Sequence, residues 1–113
     1  MLKKIKGYSK IMPILEETKS ILSKMYGDKL VDLILYGSYA RGDEYKESDI
    51  DLAIILDIEI SPFKEIEKIN DEIYDLDLKY NKVISIHPIS KEKFYKQDYS
   101  FFKTLKKEGI SLC

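Results

Sequence analysis

Residues 37–52 read GSYARGDEYKESDIDL, and the reading of this stretch decides that of the chain around it. Its front half sets Gly37 and Ser38 directly after an apolar run, LVDLILY (30–36), and ahead of a short helical segment, YARG. Its back half alternates as Asp49-Ile50-Asp51-Leu52 and then runs into wholly apolar AIIL. Side chains at i and i+2 of a strand share a face. Asp49 and Asp51 therefore project together, while Ile50 and Leu52 point into the core. Two carboxylates about 5–6 Å apart repel by roughly 3 kcal/mol at an effective dielectric near 20. A hard divalent cation offsets that repulsion, and clustered carboxylates suit magnesium, which also takes phosphate oxygens. In the front half, a glycine lets backbone approach closely, and N–H groups at a helix start join a serine hydroxyl to make an anion pocket. Alone, each half reads as readily as ordinary structure: a turn with Ser38 as helix cap, and two acids on a solvated strand. Together they set a phosphate cradle and a cation pair at the ends of neighbouring strands, the arrangement that grips a nucleoside triphosphate and its metal.

The same stretch holds Arg41, the one arginine among 19 Lys+Arg residues. Its planar fork matches phosphate as a lysine point charge does not, so it joins Gly37 and Ser38 as a candidate nucleotide-binding residue. The chain has no G-x-x-x-x-G-K-[ST] and no G-x-G-x-x-G, which excludes a Walker loop and a Rossmann turn.

Outward from the motif, Ile11, Ile14, Leu15, Thr18, Ile21, Leu22 and Met25 are spaced for one helical face over 9–26, with Ser9 as cap and Gly27 as terminator. LVDLILY reads as a strand buried on both faces, and DIDLAIIL (49–56) as a second strand. Residues 61–80 form a helix with Ser61 at the N-cap, Pro62 at its first position, and Phe63, Ile66, Ile69, Ile73 and Leu76 as its buried stripe. KVISIHPI (82–89) is a third strand. A short turn then leads to a helix near 98–108, ended by Gly109. This order predicts an α/β (α+β) fold, a small mixed sheet covered by helices.

A length of 113 residues argues for a single domain over 1–113. With 44% hydrophobic and 35% charged residues the chain is globular rather than disordered. The net charge of −1 gives no electrostatic footprint for nucleic acid, so no direct nucleic-acid binding is expected. No apolar run approaches a membrane span, and the lysine-bearing N-terminus has no apolar core of a signal peptide. The one cysteine, Cys113, fits a reducing compartment, and a cytoplasmic location is expected.

Gly37-Ser38, ten intervening residues, then Asp49-Ile50-Asp51 resembles the signature of the nucleotidyltransferase superfamily that includes DNA polymerase β. The fuller pattern, G-S-[YRF]-A-R-G followed by S-D-[IL]-D-[LV], is similar to that of the minimal nucleotidyltransferases (MNT, or MntA-type antitoxins), which pair with HEPN-domain toxins. The resemblance implies the nucleotidyltransferase fold and ATP as substrate. It also implies Gly37 and Ser38 on the triphosphate, and Asp49 and Asp51 as catalytic carboxylates holding two Mg2+ ions. The activity it implies is transfer of AMP to a hydroxyl, a tyrosine, of a HEPN-type toxin within a hetero-oligomer, which neutralises the toxin. The superfamily carries a third carboxylate on the neighbouring strand. KVISIHPI has none: Ser85 occupies that position, and His87, on the same face, is the candidate base. Two alternatives follow from that departure and from the small size: an antitoxin that neutralises its partner by binding with little or no catalysis, or the nucleotidyltransferase subunit of a small-molecule-modifying enzyme.

Overall fold

The computed structural model describes residues 8–45 and 48–113. In chain order it contains α1 (Tyr8–Tyr26), a 3-10 turn (Gly27–Lys29), β1 (Leu30–Tyr36), α2 (Ser38–Arg41), β2 (Ile50–Leu56) and α3 (Pro62–Tyr80). There follow β3 (Ile84–Ser90), α4 (Lys91–Lys96), α5 (Ser100–Glu108) and β4 (Ile110–Ser111). The strands form one mixed sheet in the order β3-β2-β1-β4. β1 pairs antiparallel with both β2 and β4, whereas β2 and β3 run parallel. A parallel pair needs a crossover, and α3 supplies it. The expected mixed α/β layering is the observed one.

β2 organises both layers. Ile50, Leu52, Ile54 and Leu56 join the core shared with α1 and α3, while Ala53 and Ile55 join a second core with Phe94 of α4 and with Phe102 and Leu105 of α5. All five residues from Leu52 to Leu56 are fully buried. Cover on both faces explains why the polar–apolar alternation stops after Asp51. Asp51 therefore continues, by period two, the face of Ala53 and Ile55, and emerges where that second core ends.

Several boundaries differ from the sequence reading. Phe63 is 89% exposed and does not belong to the α3 stripe, which is Glu65, Ile69, Ile73 and Leu76. At 3.6 residues per turn Phe63 stands roughly a third of a turn out of phase with Ile69. Ser9 lies inside α1, so it is not the cap of that helix; residues 1–7 lie outside the described residues. β3 begins at Ile84, not at Lys82. Asn81 ends α3 in the left-handed region (φ 53°), and the Lys82 N–H returns to the Asp77 carbonyl at 3.2 Å. The expected turn after β3 contains α4, whose cap is Ser90: its Oγ accepts the Lys93 N–H at 3.3 Å. β4, of two residues, is too short to leave a pattern. Among the described residues no helix is long and apolar enough to cross a membrane.

The buried Glu65 has a partner across the layer: its carboxylate accepts the Tyr26 hydroxyl, with Lys68 Nζ at 3.9 Å. Burial, and then Glu65, push the Tyr26 phenol well above its ordinary range. Tyr26→Phe takes a donor from a buried carboxylate, and the expected cost is about 1–3 kcal/mol. Urea unfolding checks this as a lower midpoint at unchanged slope.

Candidate active site

The C-terminal end of β1 and the N-terminal end of β2 are neighbours, and Tyr36 pairs directly with Asp51. Gly37 thus leaves the sheet against the Asp51 carboxylate. Its backbone has φ 77° and ψ −153°. A Cβ there would run into Asp51 Oδ2 and lie 3.1 Å from Asp51 Cγ. Conformation and space both require glycine. α2 starts at once, its Arg41 N–H bonding back to the Gly37 carbonyl at 3.1 Å, and Gly42 closes it in the left-handed region. No side chain caps its start. The first N–H groups of a helix have no acceptor within it, and here they adjoin the acid pair.

One open cleft brings together Gly37, Ser38, Arg41, Asp49 and Asp51, with Tyr45 and Ser48 on its wall. Residues 46 and 47 lie outside the described residues, but the loop on either side is tied. The Tyr45 N–H donates to Ser48 Oγ at 2.8 Å, and the Ser48 N–H donates to the Tyr45 carbonyl at 2.9 Å. Asp49 follows as an exposed residue just ahead of the strand, and Asp51 is half-buried. Burial first, and the Asp49 charge second, push the Asp51 carboxyl above its ordinary value, against an opposing pull from Arg41. Arg41 also pairs with Asp43, Nε to Oδ2, at 3.1 Å.

These are the conditions for a cation. Two hard oxygen donors repel each other beside the turn at Gly37 and Ser38. Among the described residues no group of three or more His, Cys, Asp or Glu side chains gathers to hold a metal. Magnesium does not need one: it uses one or two carboxylates and takes its other ligands from water and phosphate. The donor set fits an ion carried in with a nucleotide.

The parallel register sets Ser85 opposite Asp51 and His87 opposite Ala53. The strand position beside the acid pair is therefore a serine. The His87 ring stacks on Phe101 at 4.7 Å between centroids, and burial lowers its pKa. The groove that His87 lines contains neither Asp49 nor Asp51. The structure brings five of the six candidate residues together and leaves His87 outside.

It also adds two residues. Tyr36, half-buried opposite Asp51, packs edge-on to Phe101 at 5.3 Å. Burial, and then the Asp51 charge, raise its phenol pKa. Its signal in the sequence is only its place before Gly37. Asp77, in the last turn of α3, borders a depression shared with Ser48 and Asp49. No spacing in the sequence announces that approach.

The family model described as polymerase beta, nucleotidyltransferase matches residues 10–109. The chain belongs to this nucleotidyltransferase family. Similar members include MJ0141 of Methanocaldococcus jannaschii, a protein named for an expected protein adenylyltransferase activity. It is 38% identical over 102 residues, which cover 90% of this chain and 98% of that protein. MJ0604 of the same organism, named likewise, is 35% identical over 96 residues, covering 84% and 90%. A crystal structure of a toxin–antitoxin with AMP-PNP shares the fold at TM-score 0.62 and 18% identity, covering 87% of this nucleotidyltransferase and 72% of that chain. A mutant MntA-HpeT toxin–antitoxin structure does so at TM-score 0.57 and 18% identity, covering 87% and 71%.

Proposed function

We propose that this nucleotidyltransferase is an antitoxin that transfers AMP from Mg-ATP to a hydroxyl of a partner toxin. The acceptor is a tyrosine of a HEPN-type protein, met in a cytoplasmic hetero-complex. The observation that carries the reading is the packing of the Gly37 backbone on Asp51, which makes one cleft of an anion-binding turn and an acid pair. The names of the similar archaeal proteins support adenylyl transfer, and the two toxin–antitoxin structures support the kind of partner.

In this reading the N–H groups at Gly37 and Ser38 hold the triphosphate, and Arg41 balances its charge. Asp49 and Asp51 would hold magnesium, as two ions, which neutralises phosphate charge and makes the acceptor oxygen a better nucleophile. The acceptor oxygen attacks the α-phosphorus in line. The new O–P bond forms as the bond to pyrophosphate breaks, pyrophosphate leaves, and the acceptor's hydroxyl proton passes to water.

Incubation with Mg-ATP and a HEPN-type toxin that associates with the chain is expected to add the mass of one AMP to the toxin. No mass increase under conditions where the two proteins associate overturns the reading. Ser85 opposite Asp51 favours a second one, since it supplies no carboxylate to take the acceptor proton: neutralisation by contact. The Asp49→Asn/Asp51→Asn double variant separates the two. Full neutralisation by that variant assigns the effect to contact, and loss of neutralisation assigns it to chemistry.

A further inference from the structure

Asp49 stands on a ridge between two depressions. One is the cleft with Gly37, Ser38 and Asp51; the other is bounded by Ser48, Asp77, Asn81 and Lys82. An exposed carboxylate there can turn to either side. Asp77 cannot: its Oδ1 accepts the Ile84 N–H at 3.3 Å, and its carbonyl accepts the Lys82 N–H at 3.2 Å. This junction also carries Val83, whose carbonyl accepts the Ile50 N–H at 2.9 Å. The residue between the two acids of the pair thus hangs on the strand start that Asp77 anchors. The Asp77 carboxyl is raised by burial and then by the Asp49 charge, against the lowering by Ile84, so the two acids act on each other. Lys82 borders the same depression, its Nζ donating to the Tyr39 hydroxyl at 2.7 Å and lying 5.4 Å from the centre of that ring.

We propose that Asp77 is a positioning residue for the cation pair: a fixed negative charge behind Asp49 that disfavours the Asp49 conformation turned out of the cleft and strengthens the cleft's attraction for a divalent cation. Asp77 does not ligate the ion. The proposal rests on the reading of Asp49 and Asp51 as a cation pair, and is independent of the acceptor.

Mn2+ titration of the full chain, followed by the loss of free-ion EPR signal, tests it with no turnover needed. Asp77→Asn keeps an oxygen for the Ile84 N–H and removes the charge. Its melting temperature is expected to match the parent's, while its Mn2+ dissociation constant rises about 3- to 10-fold at low salt. The difference should shrink as ionic strength rises, which a purely structural role would not produce. Asp77→Ala loses the hydrogen bond as well and should melt lower; if it fails to fold, Asp77→Asn still decides. Unchanged Mn2+ affinity in Asp77→Asn at low salt overturns the proposal alone. No Mn2+ binding by the parent chain at millimolar metal overturns the cation pair, and the proposal with it.

Discussion

Gly37→Ala is expected to abolish nucleotidyl transfer in a chain that still folds. Two separate costs meet at this position. The pair φ 77°, ψ −153° belongs to a region that is essentially glycine's alone, and a residue with a Cβ held there is strained by about 1–3 kcal/mol. The added methyl also meets the Asp51 carboxylate, with Cγ only 3.1 Å away. Asp51 is a short side chain on a central strand, so it has little room to retreat. Relief comes by displacing either the start of α2 or the carboxylate itself. Each opens the distance between the Gly37–Ser38 turn and the Asp49–Asp51 pair, the two halves of the proposed site. A misplacement of about 1 Å at a reacting centre can cost 10²-fold, and a loss of at least that size is expected here. Pyrophosphate release measures it, with far-UV circular dichroism reporting the fold. Gly27 is the control: it too has positive φ, 56°, but a Cβ added to it would meet nothing within 4 Å. Gly27→Ala should therefore lower stability and spare activity. Retention of more than about half the activity by Gly37→Ala would remove the close packing on Asp51 from the mechanism.

The local part of this site is legible because its chemistry is written in consecutive residues. The glycine–serine turn, the alternation at Asp49 and Asp51, and the apolar run after them each follow from backbone period and charge. Their spacing is enough to bring two strand ends together. Ser85 opposite Asp51 is also within reach, since a βαβ crossover leaves β3 beside β2 with few registers open. Asp77 and Tyr36 are not. Tyr36 enters the site only through the pairing that sets it opposite Asp51. Asp77 enters only because α3 ends in left-handed Asn81 and turns back to Ile84. His87 shows the reverse. Period two puts it on the Asp51 face, but Phe101 of α5 claims its ring, and a helix packed across the sheet leaves no mark in the strand's own sequence. Phe63 reads as inward for being apolar, yet helical phase gives the inward position to Glu65, which Tyr26 makes tolerable there.

Asp51→Asn should remove activity and raise stability together. The side chain keeps its shape and loses the charge that the cation pair depends on, so transfer is expected to fall at least about 10²-fold, the scale of deleting one electrostatic stabiliser at a reacting centre. Stability moves the other way because of what the cleft imposes on this carboxyl. Burial first, and Asp49 second, hold its folded pKa above the ordinary value of 3.8, with Arg41 only partly opposing. A carboxyl raised in this way favours folding fully below the unfolded value and loses that contribution as pH rises through the folded one. At neutral pH the parent bears the whole cost of a half-buried charge beside a like charge, and the asparagine does not. The variant should melt higher than the parent near pH 7 without divalent metal, and the gap should close toward pH 3. Magnesium with AMP-PNP should then raise the parent's melting temperature more than the variant's, since an ion that binds the folded state stabilises by its occupancy. A variant that melts below the parent at pH 7 without metal would show that Asp51 is held by partners rather than by the need for a cation. The opposite result identifies the cleft as a place where folding is made less favourable so that metal and nucleotide can restore it.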